Sequence, residues 1–343
     1  MAMKYLTPGP VQLPEIVIKS IARQPQFHRT DEFKELFKNV IDKLSRIAYG
    51  TPIIAPGTGT FAVDMMVYNY VNPNENVVVP IYGEFSERLA ESLESRGAVV
   101  HRIKWDIRSV PPYDVVEDFC KKIGNVKAIA VVHNETSTGV TNRYVEKIQD
   151  VANNIGAVLL VDSVSALPAE PIKRRVDVIA TASQKAFLAP PGAAILFISK
   201  EPRAYSFIPP SMNIQKYLKM VLRNETPYTP PINVIYGLDA SLSYILEIGI
   251  DRYHEIHRER AEFLYNSIKL EPIPRKQFRS YTVTAFYTDK PREIILELKK
   301  CGYVIAGGMG EVRDKSIRIG VMGSITLDDL SKVVEVVNRV VDR

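Results

Sequence analysis

Val176-Asp177-Val178-Ile179-Ala180-Thr181-Ala182-Ser183-Gln184-Lys185-Ala186-Phe187-Leu188 places a lysine just past a short apolar run, and Pro190-Pro191-Gly192 then turns the chain into a second run, Ala194 to Ile198. The β-branched content of the first run reads as a strand over Val176 to Ala180. A lysine set among Ala, Phe and Leu between two buried strands is not the ordinary solvated lysine. Removing it from water disfavours the ammonium form and leaves a nucleophilic amine.

Outward from this segment, short β-branched runs alternate with amphipathic stretches. Strands are expected at Val77 to Val79, Val99 to Ile103, Ala128 to Val132 and Val158 to Val161, besides the two above. Helices are expected at Glu84 to Arg96, Tyr113 to Ile123 and Arg143 to Asn154, where apolar residues recur with the helical period. This alternation predicts an α/β fold with a mostly parallel sheet and covering helices. Beyond Pro209-Pro210 and Pro230-Pro231 a long helical stretch, Asn233 to Ile268, breaks near Gly249. Ser280 to Tyr287 then alternates as a strand, Glu293 to Cys301 reads as a helix, Ser316 to Ile319 as a strand and Leu327 to Val341 as a closing helix. The division expected is an N-terminal segment at 1–12, a large α/β domain at 13–235 and a smaller C-terminal α+β domain at 236–343.

Apolar residues make up 46% of the chain and charged residues 24%, a balance that supports real cores rather than disorder. The 44 Lys and Arg against 39 Asp and Glu leave a net charge of +5, interspersed rather than clustered, so nucleic acid is not implied. The one dense run, Lys173-Arg174-Arg175, reads as a solvated turn. Cys120 and Cys301 form no CxxC pair, which suggests neither a disulfide framework nor a zinc cage and fits a reducing compartment. No apolar run reaches the roughly 18 residues of a membrane span. The opening MAMKYLTPGPVQLP holds no apolar leader core, so a cytoplasmic protein without membrane contact is expected.

Ligands gather at the carboxyl ends of strands in an open parallel sheet, and several of those ends are unusual here. Pro56-Gly57-Thr58-Gly59-Thr60-Phe61-Ala62 is a glycine-rich turn opening into a helix that runs to Tyr70. Free amides and two hydroxyls there would cradle a phosphate. The same residues fit a GxGxxA dinucleotide fingerprint or a plain structural turn; the fingerprint wants an acid at the end of the next strand, where Pro80-Ile81 stands instead. His133-Asn134-Glu135-Thr136-Ser137-Thr138-Gly139 is a polar loop after the third strand. Asp162 closes the apolar run Val158 to Val161, where an isolated acid would ordinarily cap the next turn.

One cofactor accounts for these ends together. Pyridoxal 5′-phosphate needs an amine for its aldehyde, a carboxylate for its ring nitrogen, a phosphate cradle and an aromatic plate. Lys185, Asp162 and the Gly57 to Thr60 turn supply the first three, and Phe85 at the start of the next helix supplies the plate.

With these residues assembled, the chain resembles the class V aminotransferases, particularly the serine–pyruvate and alanine–glyoxylate branch, whose fold is that of type I pyridoxal-phosphate enzymes. The likeness runs through TPGP at Thr7 to Pro10, GTGT at Gly57 to Thr60, NETSTG at Asn134 to Gly139, VDSVS at Val161 to Ser165, SQKAF at Ser183 to Phe187 and RIGVMG at Arg318 to Gly323. The resemblance implies that Lys185 anchors the cofactor and then carries the substrate's α-proton. Asp162 then pairs with the ring nitrogen, and Thr136 approaches the cofactor's 3′-oxygen. Phe85 stacks where many relatives carry Trp. Thr58, Gly59, Thr60 and Gln184 hold the phosphate, with Thr229 of TPYTPP supplied by a neighbouring subunit, so a homodimer with shared sites is implied. Gly9 borders the substrate, and the guanidinium fork of Arg318 suits the substrate α-carboxylate.

The activity implied is transfer of an amino group from a small L-amino acid, alanine or serine, to glyoxylate or pyruvate. Aspartate or a phosphorylated substrate, read by His28 and Arg29, remains open within the family. A cysteine desulfurase would need a mobile reactive cysteine, and neither Cys120 nor Cys301 is so placed. An NAD-dependent dehydrogenase and a catalytically silent scaffold are the readings from other classes. His254 and His257, three apart on a charged helix, read as a solvated face rather than a metal clip.

Overall fold

A computed structural model describes residues 3–204 and 206–343. Seven strands form its main sheet: β1 Thr51–Gly57, β2 Asn76–Ile81, β3 Val99–Lys104, β4 Val126–Val132, β5 Val158–Asp162, β6 Val178–Ala182 and β7 Gly192–Ile198. Their order across the sheet is β1-β7-β6-β5-β4-β2-β3. All neighbours from β6 to β3 are parallel, whereas β7 runs antiparallel to both β1 and β6. β1 therefore points the same way as the parallel strands, and its carboxyl end lies on the same edge as theirs.

Helices cover both faces, as a sheet apolar on both sides requires. α1 Glu15–Ile21, α2 Asp31–Leu44, α3 Gly59–Tyr70, α4 Glu84–Ser95, α5 Tyr113–Ile123, α6 Val145–Ile155 and α7 Ile214–Val221 precede the long pair α8 Ile232–Ile248 and α9 Ile250–Ser267. Phe33, Phe37, Val40 and Leu44 of α2 pack on one face with Val116, Ile148 and Ile235. Ala62, Met66, Leu89 and Ile214 pack on the other. Among the described residues no helix is long and apolar enough to cross a membrane.

Strand β6 begins two residues later than the sequence suggests. Asp177 spends its own groups locally, its N–H donating to Gln149 Oε1 at 2.8 Å and its carboxylate accepting from Leu159 N at 2.9 Å, so pairing starts at Val178. The edge strand β1 was not foreseen; Pro52 and Pro56 break the strand signal, and they are tolerated because β1 has a neighbour on one side only.

The second body contains β8 Val283–Tyr287, β9 Ala306–Gly307 and β10 Ser316–Gly320, ordered β8-β10-β9, with α10 Pro291–Lys300 and α11 Leu327–Val341. The expected boundary at 235/236 falls inside α8. Ile235, Leu238 and Leu242 of that helix belong to the core under the main sheet, while Ala261 and Leu264 of α9 pack with the second body. The cores change hands near Gly249, whose φ of +90° lets the helix break there. The first residues also join the second body: Lys4–Tyr5 pairs with Tyr303–Val304, and Leu6 is in its core.

Candidate active site

The carboxyl ends of β1, β2, β4, β5 and β6 bring the sequence candidates to one edge of the sheet. A cavity of about 260 Å³ there is lined by Gly59, Thr60, Phe85, Asp162, Gln184 and Lys185. A second cavity of about 730 Å³ adjoins it, sharing Phe85, Arg88 and Lys185, and adds Gly9, Thr136 and Arg318. Nine candidate positions separated by up to 309 residues of chain thus face one pair of adjoining spaces.

The amine and the acid in the smaller cavity are each displaced from ordinary behaviour. Burial brings Lys185 down to about 8; the Arg318 charge lowers it further and the Asp162 charge opposes. Its Nζ donates to Pro8 O at 2.6 Å. Burial pushes Asp162 up to about 7, Glu135 adds to the rise, and the Val164 N–H on Oδ1 at 2.9 Å together with Lys185 pulls the other way. An amine poised near neutrality and an acid short of positive partners suit a ligand with an aldehyde and a protonated ring nitrogen.

The peptide around Lys185 is pinned on several sides. Ser183 Oγ donates to Pro190 O at 2.6 Å, Val11 N donates to Gln184 O at 3.3 Å, and the buried Tyr253 of α9 donates its hydroxyl to Ala186 O at 2.6 Å. No sequence pattern announces Tyr253, which stands in a helix otherwise rich in charge.

Phe85 is held through Glu135. This fully buried carboxylate accepts from Phe85 N at 3.1 Å, Ser86 N at 3.0 Å, Ser137 N at 3.2 Å and Ser137 Oγ at 2.5 Å. It thereby caps the first amides of α4, which have no acceptor within their own helix. Sequence reasoning singled out its neighbour Thr136 but not Glu135; an acid in a short polar run directly after an apolar strand was the available signal.

Thr136 is buried, its hydroxyl donating to Ser165 Oγ at 2.7 Å and its carbonyl accepting from Arg318 at 3.1 Å. Arg318 also donates from Nε to Gly307 O at 2.8 Å. Its cross-strand neighbours are Ala285 and Ala306, whose small side chains leave the guanidinium room. Burial brings Arg318 down to about 10, against the charge of Glu135. Thr58 stands exposed at the N-cap of α3, and Thr229 is exposed and lines neither cavity within the protomer.

The remaining candidates lie elsewhere. Arg29 donates to Glu225 and to Thr226 O, and with His28 lines neither cavity. His257 is buried rather than solvated: Nδ1 donates to Tyr253 O at 2.8 Å, and burial brings the ring down to about 3. No metal-holding cluster occurs among the described residues. Cys120 is a buried residue of α5, Cys301 is exposed at the end of α10, and neither lines the cavities, so no thiol serves the desulfurase reading.

The residues present fit pyridoxal 5′-phosphate. Gln184 Oε1 is buried without a hydrogen-bond partner among the described residues, beside the first amides of α3. A Cβ on Gly59 would stand 2.5 Å from Val164, so only glycine permits this approach of helix to loop. The amides at the start of α3 have no acceptor within their helix, and with the exposed hydroxyls of Thr58, which lines neither cavity, and Thr60 they would suit an anion.

The aminotransferase class-V family matches residues 20–290 of the chain. An uncharacterized aminotransferase of Methanocaldococcus jannaschii is 31% identical over 93% of this chain and 87% of that protein. Alanine–glyoxylate aminotransferase 1 of Saccharomyces cerevisiae is 30% identical over 93% of this chain and 91% of its own length. Among solved structures, an aspartate aminotransferase of Thermus thermophilus superposes with a TM-score of 0.89 at 27% identity, covering 99% of both chains. With this match and an amine, an acid and an anion cradle at one sheet edge, the chain belongs to the class-V aminotransferases and is a pyridoxal-phosphate-dependent transaminase.

Proposed function

We propose that the chain moves the amino group of a small L-amino acid to a 2-oxo acid such as glyoxylate or pyruvate, using Lys185 as covalent anchor and proton carrier. The observation that carries this reading is the single cavity lined by Lys185, Asp162, Gln184, Phe85 and the first residues of α3. When bound, the cofactor supplies an electron sink for the donor's α-carbon. Asp162 would hold the ring nitrogen protonated, and Phe85 and Thr136 would hold the ring and its 3′-oxygen. Thr58, Gly59, Thr60 and Gln184 bind the phosphate. With the cofactor and donor bound, Lys185 Nζ would be the group placed to take the proton from the donor's α-carbon. Arg318 binds the donor's α-carboxylate, and Gly9 leaves room for Lys185 and the donor.

Alanine and serine fit as donors, and the yeast relative is named for alanine and glyoxylate. The Thermus structure is named for aspartate, so the side chain of the donor has to be read from this chain's own residues. The assembly is a homodimer in which the exposed Thr229 completes the neighbour's phosphate site. The free thiols of Cys120 and Cys301 suit a reducing cytoplasm.

The test is direct. Protein loaded with the cofactor is expected to be yellow, to lose the colour on borohydride treatment, and to gain the cofactor's mass on the peptide containing Lys185. An adduct on another lysine, or full transamination by Lys185→Ala, would overturn the assignment.

A further inference from the structure

The larger cavity is lined by three cationic side chains, Arg88, Lys185 and Arg318, and by no Asp or Glu among the described residues. Lys185 and Arg318 have assigned tasks; Arg88 has none. It lies one turn beyond Phe85 on α4, its guanidinium carbon 4.8 Å from the centre of the Phe85 ring. Glu84 and Glu91 stand within a turn of it in the sequence, yet among the described residues no carboxylate pairs with Arg88. Glu84 Oε1 instead lies against Gly310.

The charge of Arg88 reaches the deeper guanidinium, where it adds to the burial that lowers Arg318. Two guanidiniums facing one space repel each other until anions arrive, and a donor with a single carboxylate neutralises only one. The Arg88 guanidinium lies over the Phe85 ring, and a guanidinium without a carboxylate partner among the described residues suits a two-point grip on an anion. The cavity volume of about 730 Å³ leaves space for a donor that reaches both.

We propose that Arg88 is a specificity-determining residue that binds a second anionic group, carboxylate or phosphate, on the side chain of the amino donor. This rests on the transaminase reading above. Among small L-amino acids the site then favours one such as aspartate or phosphoserine.

The test uses the cofactor-loaded enzyme with one fixed 2-oxo acid and compares kcat/KM for L-aspartate, L-phosphoserine and L-alanine. Calorimetry on the same protein compares succinate with propionate, neither of which reacts. At least one anionic donor is expected to exceed alanine, and succinate to bind more tightly than propionate; whichever donor leads identifies the anion. In Arg88→Gln both ratios should fall about tenfold, the lower end for a charged hydrogen bond because Arg88 is exposed. Arg88→Lys, which keeps charge without the fork, should fall between. The proposal is overturned if alanine leads in the unaltered enzyme or if both ratios are unmoved in Arg88→Gln. Weaker retention of cofactor with unmoved ratios would assign Arg88 to the cofactor's phosphate instead. A borohydride adduct at Lys185 alongside either overturning result would leave the transaminase reading standing and remove only this inference.

Discussion

Gly9 lies against the side chain of Lys185: a methyl group added at Gly9 would meet Cδ and stand 2.7 Å from Nζ. Gly9 also holds a φ of +115°, a backbone region that L side chains rarely adopt. Both demands fall on one residue of the TPGP segment, which was legible in the sequence as a motif but not as a steric requirement.

Gly9→Ala should therefore displace the Lys185 side chain. The strained backbone alone is expected to destabilise by about 1–2 kcal/mol. The sharper readout is the yield of borohydride-trapped cofactor on Lys185, which should fall while Lys185 remains chemically intact; an unchanged yield would separate Gly9 from the anchor.

Stability in the cofactor-free protein should depend on pH through Asp162 and Lys185. Asp162 is raised from 3.8 to about 7, so its contribution is fully present below about 3.8 and is lost as pH rises through about 7. Lys185 is lowered from 10.5 to about 8, so its contribution is present above about 10.5 and is lost as pH falls through about 8. Asp162→Asn should thus gain in melting temperature relative to the unaltered protein between pH 4 and pH 7. Adding cofactor should reverse that gain, because the carboxylate then has a cationic partner and the amide does not. A difference that stays flat across this range would argue against the buried, unpaired acid.

Glu135→Gln leaves donors of α4 and of Ser137 facing an amide that offers one acceptor oxygen. A loss of about 1–3 kcal/mol is expected for buried donors left unmatched. Removing the Glu135 charge should also bring Asp162 down toward the ordinary carboxylate range, since that charge is one cause of its rise. The two effects separate by thermal melting and by the pH midpoint of the cofactor-free protein.

Tyr253→Phe keeps the ring packed against His257 at 4.5 Å between centroids and removes only the hydroxyl on Ala186 O. Stability should fall by about 1 kcal/mol. A freed Lys185 loop predicts a shift in the pH at which the cofactor-bound absorbance band changes, whereas a purely structural tyrosine would lower the melting temperature and leave that pH alone.

The alternation of strands and helices could be read from the sequence, and Lys185, Asp162 and Arg318 drew notice as candidates because each is a polar residue ending or interrupting an apolar run. Helix α2 was also within reach: Thr30 caps Phe33 N, and Phe33, Phe37, Val40 and Leu44 keep a helical period. What could not be read is pairing at a distance. The antiparallel place of β7, the strand Lys4–Tyr5 joining Tyr303–Val304, and the reach of Tyr253 from α9 to Ala186 depend on contacts between segments that carry no mark of one another. The change of core near Gly249 was not anticipated for a related reason: Pro230-Pro231 marks the start of a helix, not the edge of a core.

Because β7 runs back beside β6, the connection at 183–191 never crosses the sheet. A parallel partner would have required a crossover of a dozen or more residues, commonly with a helix whose length could drift. Here the reactive amine rides on a short return tethered at both ends to paired backbone, with Ala182 opposite Ala194. One residue inserted or deleted there has no slack to vanish into, so length in this return is the dimension along which the chain should tolerate variation least.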